Sequence, residues 1–156
     1  MRKGSLQDRD SLDAKGLRFA VVAARWNSDV TDLLLDGALA VFREAGARAE
    51  DVEVVRVPGA FELVPACRRA VRETPAAVVS LGCLIRGETP HFEVLAHSVA
   101  GALAHLNAVQ EVPIAFGVLT CDNRAQAMDR AGGASGHAGR EAAEAAIAMA
   151  RLKGAP

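Results

Sequence analysis

The sequence predicts an α/β fold in which four parallel strands form one sheet between two layers of helices. From residue 17 onward, short runs of β-branched or apolar residues alternate with longer alanine-rich stretches whose apolar residues recur at helical spacing. Such alternation is typical of successive βαβ units, which pair their strands in parallel. Residues 76–85 are almost continuously apolar, as a central strand covered on both faces requires. The expected architecture is therefore a three-layer sandwich.

The first βα unit begins at residue 17. Residues 17–24 (LRFAVVAA) form the predicted strand, and residues 30–45 form the helix that follows it. Ser28 or Asp29 is placed to cap this helix, and Gly46 is placed to end it. The apolar positions of the helix share one face: Leu33, Leu34, Ala38, Val41 and Phe42.

The second unit has clear boundaries. Residues 52–57 (VEVVRV) form the second strand, which ends at Pro58 and Gly59. Residues 60–73 form the next helix, in which Pro65 is tolerated only near the first turns. The apolar run at residues 76–85 then forms the third strand, which is the best candidate for the middle of the sheet.

The remaining elements complete the sandwich. A helix is predicted at residues 90–109, a strand at 113–119, a short helix at 124–130 and a tail helix at 139–153. The glycine-rich stretch GGASGHAG, at residues 132–139, is predicted to be a flexible kink or turn, because glycine adopts backbone angles that other residues resist. Together these elements predict one flavodoxin-like domain with a four-stranded parallel sheet.

Composition limits the chain to one domain and excludes several kinds of partner. The 156 residues suffice for one core, expected over residues 17–156 after a flexible polar arm at residues 1–16. Apolar residues make up 51% of the chain and charged residues only 24%, so we expect some apolar surface to be buried in a partner. The formal net charge of -1 gives no general attraction to nucleic acid or to an anionic membrane. Any bound anion must be held locally.

The three cysteines indicate a reducing compartment. Cys67, Cys83 and Cys121 are widely separated, form no C-x-x-C pair and lie in apolar stretches, which favours reduced, buried thiols in a cytoplasmic protein and disfavours a metal site. No apolar run reaches the length of a membrane span, and the first 16 residues lack the apolar segment of a signal peptide.

Chemistry is expected where the strands end. Ligands of open α/β sheets bind beyond the carboxyl ends of the strands, where loops converge and helix amino termini point inward. The four loops at this edge are residues 25–28, 58–62, 86–91 and 120–123, and each carries polar or aromatic groups that a simple connection does not need.

The loop after the third strand resembles an anion-binding site. Gly87 permits a sharp turn, Thr89 can cap the next helix, and Pro90 fits the first helical position. Free N–H groups and the positive end of the helix dipole would then face a phosphate or carboxylate, although an ordinary capped helix explains the same residues. His91 lies in the first turn, where the dipole favours a neutral imidazole able to act as a base; it equally fits a residue that only borders the helix.

Other candidates also have two explanations. Trp26, in a polar loop directly after a buried strand, is placed either to stack on a heteroaromatic ring or to cover the core. Glu62, at the start of a helix, either complements the dipole or binds donor groups of a ligand. Arg130 and Glu141 carry the charges expected near the end and the start of their helices, which by itself explains both.

Four segments, in this order, resemble the lumazine synthase family. They are VPGAFELVPA (57–66), LGCLIRGETPHFEVL (81–95), PIAFGVLT (113–120) and QAMDRAGG (126–133), and the resemblance extends over the chain from residue 17 onward. It implies condensation of 5-amino-6-(D-ribitylamino)uracil with 3,4-dihydroxy-2-butanone 4-phosphate, giving 6,7-dimethyl-8-ribityllumazine, phosphate and water. It implies no metal and no organic cofactor.

The resemblance also implies roles for individual residues. Trp26, where many relatives have Phe, would stack on the pyrimidine beside its neighbour Asn27. The pocket for the ring and ribityl chain would be lined by Ala60, Phe61, Glu62, Gly82, Cys83 and Leu84, with Phe116 from a neighbouring subunit. The phosphate would be held by Gly87, Glu88, Thr89 and by Arg130 of an adjacent subunit. His91 would transfer protons, and Glu141 would orient it.

One stretch departs from the family pattern. Many relatives carry G-N-K-G in the kink, where this chain has Gly136-His137-Ala138-Gly139, so alanine replaces the lysine. The phosphate affinity is then expected to fall unless His137 or Arg140 compensates.

The resemblance further implies a homopentamer, with a 60-subunit icosahedral shell also permitted and riboflavin synthase as a candidate partner. Two rival interpretations remain open from sequence. One is a non-catalytic flavin or lumazine binder, and the other is a generic flavodoxin-like module or structural shell protein.

Overall fold

A computed structural model describes residues 12–152 of the chain. Residues 1–11 of the predicted arm, and Lys153 of the predicted tail helix, lie outside the described residues. Just before the first strand, Ala14 is fully buried, and its amide donates a hydrogen bond of 2.9 Å to the carbonyl of Ala45. Packing against the core therefore already includes residues that precede position 17.

Four parallel strands form the central sheet, as predicted. They are β1 (Phe19–Ala24), β2 (Val52–Val57), β3 (Ala77–Ile85) and β4 (Ile114–Cys121), in the order β2-β1-β3-β4. The prediction that β3 lies in the middle is confirmed, and β1 shares that position. The strand β4 starts one residue later and ends two residues later than the sequence indicated.

Helices cover both faces of this sheet. They are α1 (Ser28–Glu44), α2 (Ala60–Ala70), α3 (His91–Val109), α4 (Arg124–Arg130) and α5 (Ala138–Leu152), with 3-10 turns at Ala49–Asp51 and Val71–Glu73. The side chains of α1 and α5 join one core cluster, and those of α2 and α3 join the other. The chain thus forms the predicted three-layer sandwich.

Alternation along the central strands divides the core into two clusters. Val21 and Leu81 point to the α1–α5 side, whereas Val22 and Val78 point to the α2–α3 side. All four side chains are completely buried. Because both faces of β1 and β3 are covered, polar functional groups are displaced to the ends of these strands.

The helix α3 leaves much apolar surface uncovered. Of its 19 residues, only Val99 and Leu103 are buried, while Val94 and Val109 are each more than 60% exposed. No helix within residues 12–152 is long and apolar enough to cross a membrane.

The predicted cap and face of α1 need correction. The N-cap is Asn27 rather than Ser28 or Asp29, and its backbone is left-handed, at φ 57°. The side chain of Leu33 is 37% exposed, so this residue does not belong to the buried face. The helix ends as predicted, since Gly46 adopts φ 91° directly after the C-cap.

The glycine-rich stretch forms a small hairpin, which agrees with the predicted turn and not with a kink. The strands β5 (Ala131–Gly133) and β6 (Gly136–His137) pair antiparallel. Gly132 and Gly136 adopt φ values of 112° and 102°, so the predicted need for glycine angles is confirmed. The hairpin leads directly into α5, which packs against α1.

Candidate active site

Hydrogen bonds join three strand ends at the carboxyl edge of the sheet. The amide of Trp26 donates to the carbonyl of Pro58 at 2.9 Å, and the amide of Arg25 donates to Val57 at 2.8 Å. The Asn27 side chain donates from Nδ2 to the carbonyl of Cys83 at 2.8 Å. The left-handed backbone of Asn27 directs the loop after β1 toward β3, so the first three strands present their ends together.

Trp26 is an exposed aromatic platform at this edge. Its side chain is 68% exposed, which excludes the alternative that it covers the core. The ring lies against the backbone of Gly59, where an added Cβ would be 2.7 Å from Trp26 Cε3. Phe61, 58% exposed, follows in the first turn of α2. Two aromatic side chains thus remain available for contact with a flat ring.

Glu62 has a definite local role. Its Oε2 accepts a hydrogen bond of 3.0 Å from the amide of Gly59, the N-cap residue of α2. This fixes the loop against which Trp26 rests. The helix-start explanation of Glu62 is therefore correct, and ligand binding through this side chain stays a prediction.

The end of β3 supplies backbone and apolar groups. Gly82 faces α2, where an added Cβ would lie 3.1 Å from Leu63 Cδ1. Cys83 is buried, and burial raises the pKa of its thiol to about 12. Cys67, on the buried face of α2, has its thiol pKa also raised to about 12 for the same reason. Neither thiol is a nucleophile near neutral pH, and the burial of both agrees with the predicted buried thiols.

The loop after β3 is open to solvent. Gly87, Glu88, Thr89 and His91 are all exposed. The amide of His91 donates to Thr89 Oγ1 at 3.4 Å, so the hydroxyl does contact the start of α3. Pro90 is the N-cap instead of the first helical residue.

The predicted reason for Gly87 is wrong. It is not among the glycines with a left-handed backbone, and an added Cβ would meet nothing within 4 Å. Neither conformation nor packing within the described chain requires glycine there. Close approach of a group from outside the chain remains an explanation for it.

Arg86 was not singled out by the sequence, although it fixes this loop. Its Nε donates to Asp122 Oδ1 at 2.8 Å, and its Nη1 pairs with Glu93 in the first turn of α3. The guanidinium carbon also lies 4.6 Å from the centre of the Phe92 ring. The amide of Arg86 donates to the Cys121 carbonyl at 2.9 Å, which ties β3 to β4. The available signal for this role in the sequence was the pair of acidic residues, Glu93 and Asp122, that bind its side chain.

Arg130 and Glu141 form a two-point ion pair at the base of the hairpin. Arg130 Nη2 lies 2.8 Å from Glu141 Oε2 and Nη1 lies 3.1 Å from Oε1, while Nη1 also donates to the Ser135 carbonyl at 2.6 Å. The bond from Arg130 holds the pKa of Glu141 below its usual range, and Glu141 raises the pKa of Arg130. Cys121, the last residue of β4, is close enough to interact electrostatically with Arg130.

Within residues 12–152, the carboxylate of Glu141 is therefore bound by Arg130 of the same chain. Its expected contact with His91 stays a prediction.

Two residues proposed to replace the lysine are already engaged. Arg140 pairs with Glu44 of α1, with 2.6 Å between Nη2 and Oε2. His137 is half-buried, and its Nδ1 accepts a hydrogen bond of 3.4 Å from the Arg140 amide. Ala138 is only 8% exposed. These contacts favour local structural roles for both candidates.

Phe116 lies two positions before the level of Gly82 in the sheet. It pairs with Ser80 in the first half of β4, whereas Gly82 pairs with Val118 further along. Its side chain is 49% exposed on the edge strand of the sheet. This position is compatible with the expectation that Phe116 serves a neighbouring site, and that expectation stays a prediction.

The fold and the groups at this edge are typical of a class of protein: α/β enzymes whose sites lie beyond the carboxyl ends of parallel strands. No group of three or more His, Cys, Asp or Glu side chains within residues 12–152 is arranged to hold a metal ion.

Comparison with known proteins specifies the class further. The family model for 6,7-dimethyl-8-ribityllumazine synthase matches residues 16–154. The chain is 46% identical to the 6,7-dimethyl-8-ribityllumazine synthase of Aquifex aeolicus over 142 residues, covering 90% of this chain and 92% of that protein. It is 48% identical to the protein of the same name from Thermus thermophilus, again over 142 residues and 90% of each chain. The chain belongs to the 6,7-dimethyl-8-ribityllumazine synthase family.

The groups around the hairpin predict a loss of stability in acid. Burial, followed by the charge of Arg140, lowers the pKa of His137 from its ordinary 6.5, so the unfolded chain binds this proton more readily. Its contribution is complete above about pH 6.5 and is lost as the pH falls through the folded value. Glu141 adds a further loss below its ordinary 4.5, because its folded pKa is also lowered.

Denaturant unfolding at fixed protein concentration, from pH 7.5 to pH 5, checks the histidine contribution. We expect the free energy of unfolding to fall over this range, and to fall less in His137→Asn, whose amide does not titrate. An equal fall in both proteins would contradict the assignment to His137.

Proposed function

We propose that this chain is a 6,7-dimethyl-8-ribityllumazine synthase, joining 5-amino-6-(D-ribitylamino)uracil to 3,4-dihydroxy-2-butanone 4-phosphate in the penultimate step of riboflavin biosynthesis. The observation that carries the proposal is the carboxyl edge of the sheet. There an exposed aromatic side chain, Trp26, and an exposed helix amino terminus bearing Thr89 and His91 follow two central strands joined by the Asn27 hydrogen bond.

The pyrimidine is proposed to stack on Trp26. Its 68% exposure and its support on Gly59 give a fixed, accessible aromatic face. Asn27 holds the loop in place through Cys83. The ring and ribityl chain would then extend along a surface lined by Ala60, Phe61, Glu62, Gly82, Cys83 and Leu84, with Phe116 added by a neighbouring copy.

The phosphate is proposed to bind at the start of α3. Backbone N–H groups of Gly87, Glu88 and Thr89, the Thr89 hydroxyl and the positive helix end favour a dianion there. A neighbouring subunit would supply Arg130, whose guanidinium is already oriented by Glu141. The open space around Gly87 permits such close approach.

His91 is proposed to move the protons. The exocyclic amine attacks the ketone carbon, and His91 transfers a proton toward the carbonyl oxygen, which leaves as water when the imine forms. Removal of the proton on the carbon beside the imine expels phosphate from the terminal carbon, and the resulting enol tautomerises to a ketone. The remaining amine attacks this carbonyl and closes the ring with release of a second water. Glu141 would orient His91 across the subunit boundary. Each transfer needs a group that both accepts and returns a proton, as imidazole does.

The site is proposed to be shared within a homopentamer, with a 60-subunit shell as the alternative assembly. Support comes from exposed apolar side chains in several elements. Those above 45% exposure are Trp26, Phe61, Val94, Val109, Phe116, Met149 and Leu152. A cytoplasmic location is proposed because the cysteines are reduced and buried. Riboflavin synthase is the proposed partner that uses the product.

Replacing His91 by alanine tests the catalytic proposal. Product formation from both substrates, followed by absorbance after subtraction of the uncatalysed reaction, is expected to fall about 10²-fold in kcat, because general acid–base catalysis contributes at least this factor. His105→Ala is the matched control, since His105 is also exposed on α3 but lies near its other end. If the wild-type protein formed product only at the background rate and bound flavin tightly, the enzyme proposal would fail. The chain would then be the non-catalytic flavin binder.

Arg130→Gln tests the phosphate site. We expect the KM for the butanone phosphate to rise about tenfold or more, as loss of a charged hydrogen bond predicts, with the KM for the pyrimidine little changed. Arg140→Gln is the matched control, because the Arg140 side chain is bound to Glu44. A rise in Arg140→Gln and none in Arg130→Gln would show that Arg140 has taken the role of the missing lysine.

Light scattering tests the shared site. We expect a mass of about five or about sixty times the 16.3 kDa of one chain. A single-chain mass for fully active protein would mean that Arg130 and Phe116 act, if at all, within their own subunit.

A further inference from the structure

His137 occupies a place on α1 that only a glycine leaves open. A Cβ added to Gly37 would lie 2.1 Å from His137 Cε1, 2.4 Å from Nε2 and 2.7 Å from Nδ1. Gly37 is buried in the third turn of α1, so the imidazole rests directly on helix backbone. Any larger residue at position 37 would displace the ring.

The same ring contacts two more elements. Its Nδ1 accepts the Arg140 amide at 3.4 Å, in the first turn of α5. On the other side, an added Cβ on Gly132 would be 3.2 Å from His137 Cδ2, so the ring also lies close to the β5 backbone. One side chain therefore connects α1, the hairpin and α5.

The hairpin held in this way carries the ion pair of the proposed phosphate site. Arg130 directly precedes β5, and Glu141 lies in the first turn of α5, just after β6. Arg130 further bonds to Ser135 inside the hairpin turn. A shift of the hairpin relative to α1 would move the Ser135 carbonyl and the adjoining Arg130 relative to Glu141 of α5.

We infer that His137 is a positioning residue, which seats the β5–β6 hairpin on α1 through Gly37 and thereby sets the guanidinium of Arg130 for phosphate. This inference rests on the proposed function, in which Arg130 binds the substrate phosphate. The imidazole acts without touching the anion, because it is half-buried between α1 and β5. It accordingly differs from direct replacement of the lysine by His137.

A double-mutant cycle tests the inference. His137→Ala removes the ring, and Gly37→Ala displaces it by steric overlap. Each is expected to raise the KM for the butanone phosphate, and the inhibition constant of inorganic phosphate, on the order of fivefold, with kcat and the pyrimidine KM nearly unchanged. In the double variant the second substitution should add nothing, because both act through one contact.

Two further measurements separate positioning from general destabilisation. His137→Asn keeps a side-chain acceptor for the Arg140 amide but lacks the Cε1 and Nε2 atoms that lie on Gly37, so its phosphate affinity should stay close to that of His137→Ala. In the His137→Ala background, Gly37→Ala should raise the unfolding midpoint, because alanine favours helix more than glycine once the ring is gone. A merely structural role would lower the unfolding midpoint without a selective change in phosphate affinity.

Specific outcomes would overturn the inference. The inference would be contradicted if both single variants kept the wild-type phosphate affinity. It would also be contradicted if the KM values of both substrates changed equally, or if the effects in the double variant were fully additive. If the wild-type protein formed no product, the proposed function would fail. The phosphate affinities of the four proteins in the cycle would still be measured by calorimetric titration of inorganic phosphate. The two failures are therefore distinguishable.

Discussion

The burial of β1 and β3 on both faces is the constraint on which the rest of the structure depends. Val21 and Val22 point to opposite cores and are both fully buried, so these strands have no room for solvated groups. The one polar side chain buried within β3, Ser80, bonds to the carbonyl of Ala115. Reactive and charged groups are consequently confined to the loops, and parallel connection brings those loops to one edge.

A second constraint places the charged part of that edge. The helices α1 and α5 approach so closely that a Cβ on Gly139 would be 2.0 Å from the Leu34 carbonyl oxygen. This contact lies two residues from His137, which rests on Gly37 one turn further along α1. The hairpin between α4 and α5 is thereby fixed against the sandwich, and Arg130 and its acidic partner are presented at the base of the hairpin. Backbone packing at two glycines thus supports the electrostatics of the proposed phosphate site.

These two constraints explain which features of the fold and of the candidate site could be predicted from the sequence. The strand at Val52–Val57 and the helix at Arg124–Arg130 have the predicted bounds, because their hydrophobic pattern and flanking turn residues agree. The cap of α1 was misassigned because the left-handed Asn27 depends on a carbonyl 56 residues away, at Cys83. The hairpin and the contact of His137 with α1 likewise join segments distant in sequence, which local patterns do not reveal. The exposure of Trp26 at the carboxyl edge of the sheet could also be established only from the folded structure.

The most direct test is a crystal structure of the assembled protein with the pyrimidine substrate and inorganic phosphate. The account predicts the pyrimidine ring parallel to the indole of Trp26, and phosphate within hydrogen-bond distance of Thr89 and of Arg130 from a neighbouring copy. It also predicts His91 beside both ligands. A pyrimidine bound away from Trp26, or a phosphate that contacts neither Thr89 nor Arg130, would contradict the central claim that this edge of the sheet is the active site.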